Sequence, residues 1–201
     1  MPKTLSVQQR RVRGVALIEA LVAILILSIG VLGMIGMQSA AIRFEQNSWA
    51  RSAVSSQIAD VADRIRANRG STDTAYVYNV AYATERATVN TSTSTFVVSP
   101  DCNSSACLPA QVAAYDLAQW RQNLNTQIPG SVGMVTGSRS TNYNITIAWF
   151  DKSRISGVGD LESAAQCSAV PAGVPVAARN CCPNALAAPA GVRCVNFSVV
   201  P

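Results

Sequence analysis

The sequence predicts an α+β fold, in which a long N-terminal α-helix packs on a small antiparallel β-sheet head with disulfide-held loops. Three observations predict this fold class. An apolar run near the amino terminus passes into an amphipathic helical stripe, and two later segments alternate in the manner of β-strands. All six cysteines lie beyond residue 100, where they can hold the loops of the head together.

The apolar run covers residues 15–38 and contains a single charged residue, Glu19. It is long enough to cross a hydrocarbon core of about 30 Å as an α-helix. Basic residues and no acid precede it, at Lys3, Arg10, Arg11 and Arg13. Because a basic leader stays in the cytoplasm, we expect one membrane pass, with the rest of the chain on the other side of the membrane.

The acid at Glu19 distinguishes three interpretations of this run. A secretory signal would have a shorter apolar core, followed by small residues at a cleavage site. A signal anchor fits the length but leaves the acid unexplained, since a charge at a membrane centre costs roughly 2.5–3.5 kcal/mol. If the chain is cut between Gly14 and Val15, Glu19 becomes the fifth residue and can pair with the terminal amine of a neighbouring helix. Such a pair gains about 4 kcal/mol at an effective dielectric of about 20, less desolvation.

Gly14 followed by VALIEALVAILILSIGVLGMIGMQ resembles the prepilin N-terminal motif of type IV pilins and type II secretion pseudopilins. In that family a prepilin peptidase removes the leader after the glycine, and the new terminus is N-methylated. The resemblance implies cleavage between Gly14 and Val15, N-methylation of Val15 and an assembly role for Glu19. Many members have Phe where this chain has Val15. Implied partners are other minor and major pilins, the prepilin peptidase and the inner-membrane assembly platform.

A helical stripe follows the apolar run. Its apolar residues recur every three or four positions, at Ala50, Val54, Ile58, Val61 and Ile65. Gly70 supplies a C-terminal stop after a basic last turn. We therefore expect four parts of the chain: a leader at 1–14, a transmembrane and filament-core helix at 15–38, its amphipathic continuation at 39–69 and a globular head at 70–201.

The head is predicted from shorter patterns. Residues 71–100 are rich in Thr, Ser, Asn and Tyr and predict a loop with one strand near 95–98. A second helix is expected at 110–125, with Trp120 as a core residue on its apolar face. The segments YNITIAWFD and CVNFSVV predict two strands, whereas residues 152–194 predict little regular structure.

The cysteines indicate disulfides formed in an oxidising compartment, because their number is even and all lie on one side of the apolar run. They are Cys102, Cys107, Cys167, Cys181, Cys182 and Cys194. The adjacent Cys181 and Cys182 are not expected to bond to each other. If Cys102 bonds Cys107, then Cys167 and Cys194 each take one of that adjacent pair, which leaves two arrangements open.

Several function classes are disfavoured by composition. The chain has no histidine, so it cannot hold a Ser–His or Cys–His catalytic pair, and no cysteine spacing suggests zinc. Without the four basic residues before the apolar run, 12 basic and 11 acidic residues remain, which argues against nucleic-acid binding. We expect neither an enzyme nor a bound metal or cofactor.

Two later segments, ADRIRANRG and CLPAQVAAYDLAQWRQNL, resemble minor pilins of the PilV kind, the type IV pilus modification proteins. The resemblance implies a minor pilin that primes pilus assembly in a tip complex, supports motility and adhesion and helps present a tip adhesin. One alternative is a type II secretion pseudopilin. Another is an adhesive head that binds through the polar segment 84–105 and exposed aromatic side chains at Tyr76, Tyr78 and Tyr82.

Overall fold

The computed structural model describes residues 15–91, 98–151, 160–167 and 179–201. These residues divide into two compact units, one ending at Asn47 and the other beginning at Ser48. The elements in chain order are α1 (Val15–Ala67), α2 (Tyr82–Thr91), α3 (Pro109–Gln127), β1 (Val132–Ser138), β2 (Asn142–Phe150), β3 (Gln166–Cys167), β4 (Cys182–Pro183), a 3-10 helix (Asn184–Leu186) and β5 (Val192–Val199).

The first unit consists of the earlier part of helix α1. Every side chain from Leu17 to Ile42 is exposed. This stretch of 26 residues contains an 18-residue window with a mean hydropathy of 2.6, and it is long and apolar enough to cross a membrane. The prediction of one long helix without a break at the end of the apolar run is confirmed.

The second unit contains the rest of α1, where the apolar stripe is buried as predicted. Val54, Ile58, Val61 and Ile65 are all less than a tenth exposed, and they belong to the main core of this unit. The helix ends at Ala67, three residues before the glycine expected to stop it. Burial of one helical face thus follows directly from the sequence periodicity.

A three-stranded antiparallel sheet forms the other side of this core, in the order β1–β2–β5. Both strands predicted from alternation are present, and they pair with each other, Ile147 lying opposite Val195. The alternating residues Tyr143, Ile145, Ile147 and Trp149 of β2 all join the main core. The α+β fold with a small antiparallel sheet is therefore confirmed.

A second, smaller core lies on the opposite face of the sheet. From the sheet it contains Val132, Met134, Ala148, Val192 and Cys194, and from other segments Tyr82, Cys182 and Leu186. The short parallel pair β3–β4 lies among the segments that follow β2. Residues 160–167 and 179–191 otherwise contain the 3-10 helix and a single β-bridge at Leu161, in agreement with the expectation of little regular structure.

The prediction of a loop over residues 71–100 is wrong in part, because Tyr82–Thr91 forms helix α2. Thr and Asn have weak intrinsic helix propensity, so tertiary contacts that the local sequence does not reveal stabilise this helix. Residues 95–97 of the strand expected there lie outside the described residues, and Val98 is not in a strand.

Strand β1 was not anticipated, since its sequence VGMVTGS contains two glycines, which weaken strands. Gly133 is needed there for a packing reason. A Cβ atom at this position would overlap the indole ring of Trp120, so the glycine lets helix α3 approach the sheet closely. Tyr78 also pairs with Val135 through two backbone hydrogen bonds of 2.8 Å.

Candidate functional site

The predicted assembly residue Glu19 lies near the beginning of helix α1 with its side chain exposed. Its neighbours on the helix are apolar and exposed as well, Leu17, Ile18, Leu21 and Val22 among them. No contact to its carboxylate is found among the described residues of this chain. The predicted cleavage residue Gly14 lies outside the described residues, and Val15 is the first residue of α1.

This arrangement has a clear physical consequence. An apolar helical surface with one carboxylate gains free energy only when lipid or other apolar helices cover it. A carboxylate removed from water in that setting requires a cation at close range. The first part of α1 therefore has the properties of an assembly surface that is completed by other molecules.

The later part of α1 is held within its own unit by helix α3. The indole nitrogen of Trp120, which is fully buried, donates a hydrogen bond of 3.0 Å to the backbone oxygen of Gln57. Leu117 and Leu124 flank this tryptophan in the same core. The predicted role of Trp120 as a core residue is confirmed.

A polar network on the same interface joins α1, α3 and the segment after α1. The guanidinium of Arg64 contacts Asp60 at 3.0 Å and Asp116 at 3.1 Å, and the hydroxyl of Tyr76 donates to Asp116 at 2.6 Å. Burial would lower the pKa of Arg64, but its hydrogen bonds to the two carboxylates outweigh this and raise it. Burial raises the pKa of Tyr76, and the bond to Asp116 raises it further.

The carboxyl end of α1 is capped by the turn between β1 and β2. Arg139 donates from one terminal nitrogen to the backbone oxygens of Ile65 at 3.3 Å and Asn68 at 2.9 Å. A cation at this end also interacts favourably with the helix dipole. Asp73 fixes the same turn, and its hydrogen bonds from Ser140 hold the pKa of the carboxyl below its usual range.

A second buried cluster attaches helix α2. Glu85 is only 3% exposed and receives two hydrogen bonds from Arg121, of 2.7 and 2.6 Å. Tyr78 donates to the same carboxylate at 2.5 Å, and the Arg121 guanidinium carbon lies 4.2 Å from the centre of the Tyr78 ring. Burial raises the pKa of Tyr78, and the bond to Glu85 adds to this.

Two family models match the chain. One, described as the prokaryotic N-terminal methylation motif, matches residues 9–35, which include Gly14, Val15 and Glu19. The other, described as type IV pilin Tt1218, matches residues 36–118, from the apolar part of α1 into helix α3. The chain belongs to the type IV pilins. No curated protein and no solved structure matches it.

Membership in this family indicates a general role for the exposed apolar part of α1. A type IV pilin with a prepilin-like N-terminus interacts with other pilins and with a prepilin peptidase. The apolar stretch Leu17–Ile42 fits a protein that is anchored in a membrane and enters a pilus. Pilins are structural proteins, so the residues of interest are those that position surfaces rather than those that react.

The cysteines of the pilin head form three disulfides. Cys102 is bonded to Cys107, Cys167 to Cys181 and Cys182 to Cys194. The adjacent pair thus bonds to two different partners, in one of the two arrangements that the sequence left open. A buried Asn196 connects these loops to the sheet, because its amide donates to the backbone oxygen of Cys181 at 2.7 Å while its side-chain oxygen accepts from Thr146.

The aromatic residues suggested for adhesion are not exposed as expected. Tyr76 is fully buried and Tyr82 is 8% exposed, while Tyr78 is half-buried against Arg121. Each hydroxyl has a partner inside the pilin: that of Tyr82 donates to the backbone oxygen of Gly130 at 2.7 Å. These residues support the fold and do not offer a binding surface. Sequence reasoning missed Glu85, Arg121 and Arg139, whose roles depend on contacts between distant segments.

Proposed function

We propose that this type IV pilin is a minor pilin of the PilV kind, which primes pilus assembly within a tip-located complex of minor pilins. The single observation that carries the proposal is the isolated carboxylate of Glu19 on the exposed apolar part of α1, within the match to the methylation motif. The minor, PilV-like assignment is supported by the resemblance of ADRIRANRG and CLPAQVAAYDLAQWRQNL to that subgroup.

The proposed sequence of events starts in the inner membrane. The chain crosses it once, with the leader 1–14 in the cytoplasm and the head in the periplasm. A prepilin peptidase cuts between Gly14 and Val15, and Val15 is N-methylated. The residues 15–38 then leave the bilayer for the filament core, where Glu19 pairs with the terminal amine of an adjacent pilin. The amphipathic part at 39–69 carries the head, 70–201, which supports motility and adhesion and helps present a tip adhesin.

Mass spectrometry of sheared pili tests the processing and the location together. We expect a chain that begins at methylated Val15, present at a low ratio to the major pilin. The variant Gly14→Asp is expected to block the cut, so its product should keep the leader and stay in the membrane fraction. Recovery of a chain starting at Val15 from that variant would contradict the assigned cut.

The rival assignment is a type II secretion pseudopilin, a class of protein with the same prepilin N-terminal motif. The match to a type IV pilin family model favours the pilus. Deletion of the gene separates the two, because loss of a pilus component abolishes twitching motility and leaves enzyme secretion intact. Loss of secretion with normal twitching would instead assign the chain to the export system.

A further inference from the structure

A cavity of about 280 Å³ lies within the second unit, between helix α1, the sheet and the disulfide-held loops. Strands β2 and β5 together contribute one wall, since Trp149 and Arg193 are directly paired neighbours in the sheet. The residues that line it are Arg51, Trp149, Ala164, Ala165, Asn180, Cys181, Arg193, Cys194 and Val195.

The lining contains two arginines, and only one of them is paired with a carboxylate of this chain. Arg193 forms an ion pair of 2.8 Å with Asp151, which is 8% exposed. The Arg51 guanidinium has no carboxylate partner. All 11 acidic residues of the chain lie within the described residues, and none of them forms an ion pair with Arg51. The undescribed segments 152–159 and 168–178 contain no acid, so the chain itself supplies no side-chain carboxylate for this cation.

The remaining lining defines what else the site can contact. The Asn180 amide can donate and accept hydrogen bonds, and Trp149, Ala164 and Val195 provide apolar walls. Ligand pockets for drug-sized molecules measure roughly 300–1,000 Å³, so this cavity suits a smaller molecule. A planar guanidinium matches a carboxylate with two parallel hydrogen bonds, which fixes the orientation of the ligand.

We propose that this cavity binds a small hydroxylated carboxylate of monosaccharide size, such as an acidic sugar, with Arg51 as the carboxylate ligand. Arg193 stays with Asp151 and adds positive potential, and Asn180 contacts ligand hydroxyl groups. The apolar walls cover the face of the ligand that carries C–H groups. All lining residues belong to the second unit.

The experiment uses the full-length chain in detergent micelles, in a buffer of low salt because screening weakens the attraction. Isothermal titration calorimetry measures binding of glucuronate, with glucose and glucosamine as probes of the same size that are neutral and cationic. We expect saturable binding of glucuronate and no measurable binding of glucose or glucosamine. Absence of saturable glucuronate binding, or equal binding of glucose, would overturn the proposal.

Two matched variants locate the site. Arg51→Gln should weaken glucuronate binding about tenfold or more, because it removes a charge-assisted hydrogen-bonding group. Arg69, like Arg51, is exposed, but it does not line the cavity, so Arg69→Gln should keep an affinity within about twofold of the parent. Equal weakening by both variants would show non-specific attraction, and no weakening by Arg51→Gln would show another site; either result overturns the proposal.

Discussion

Glu19 and Glu85 show two opposite ways to accommodate an acid among apolar residues. Glu85 is buried in the head, and its carboxylate is satisfied within the chain by Arg121 and Tyr78. Glu19 lies on the apolar part of α1, and its exposed carboxylate has no partner among the described residues. The first arrangement stabilises the fold of the head, whereas in the second the partner that we propose is the terminal amine of another pilin.

The same contrast extends to the apolar side chains of helix α1. Ile65 is fully buried by the head, while Ile24 is 63% exposed within a helix of comparable regularity. A single helix therefore has one part whose packing is complete and another whose packing depends on lipid or on neighbouring pilins. We therefore expect assembly and stability to be separable in this molecule, with different residues controlling each.

The largest expected effect is on assembly. Glu19→Ala removes the carboxylate that we propose to pair with the neighbouring amine, so the variant should be absent from sheared pili while it accumulates in the membrane. Its head should unfold at the same denaturant concentration as the parent, because no contact of the head is altered. Immunoblots of the pilus and membrane fractions measure this.

The matched control for that variant is Glu45→Ala, which removes another exposed acid from α1 beyond the apolar stretch. It should enter pili at a level close to that of the parent. Normal amounts of Glu19→Ala in pili would contradict the assembly role, and equal loss of both variants would indicate a general charge effect.

For the buried acid of the head we expect an effect on stability instead of assembly. Arg121→Met leaves the Glu85 carboxylate buried without its cation, which should cost about 4 kcal/mol of the free energy of unfolding. The double variant Glu85→Leu/Arg121→Met removes both charges and should recover most of that loss. Denaturant unfolding followed by tryptophan fluorescence measures both, and a double variant no more stable than the single one would contradict the view that the unpaired charge causes the loss.

Sequence patterns predicted the parts of this fold that rest on periodicity. The stripe from Val54 to Ile65 and the alternation in β2 each place one face in the core, so the period alone identifies the buried residues. The prepilin motif also points to Glu19, since a charge in an apolar run is costly, and its role in assembly stays a prediction.

What the sequence could not show depends on long-range contacts. Helix α2 has a weak local signal and is held through Glu85 by Arg121, which lies 36 residues further along the chain. Strand β1 was missed because Gly133 weakens its pattern, and the reason for that glycine is the ring of Trp120 on another helix. The pairing of Cys167 with Cys181 was undecided for the same cause, since spacing does not determine connectivity.

The smallest of the three expected effects is on the free energy of unfolding of the head. It is measured with the same substitution in the two parts of helix α1. Ile65→Ala leaves a cavity in the core of the head and should lower its free energy of unfolding by about 3 kcal/mol. Ile24→Ala removes the same atoms from an exposed position, so the stability of the head should change by less than about 0.5 kcal/mol. Urea unfolding in detergent micelles, followed by tryptophan fluorescence to which the buried Trp120 and Trp149 contribute, measures both. Equal destabilisation by the two variants would show that the head does not fold independently of the apolar part, and the separation of assembly from stability would then fail.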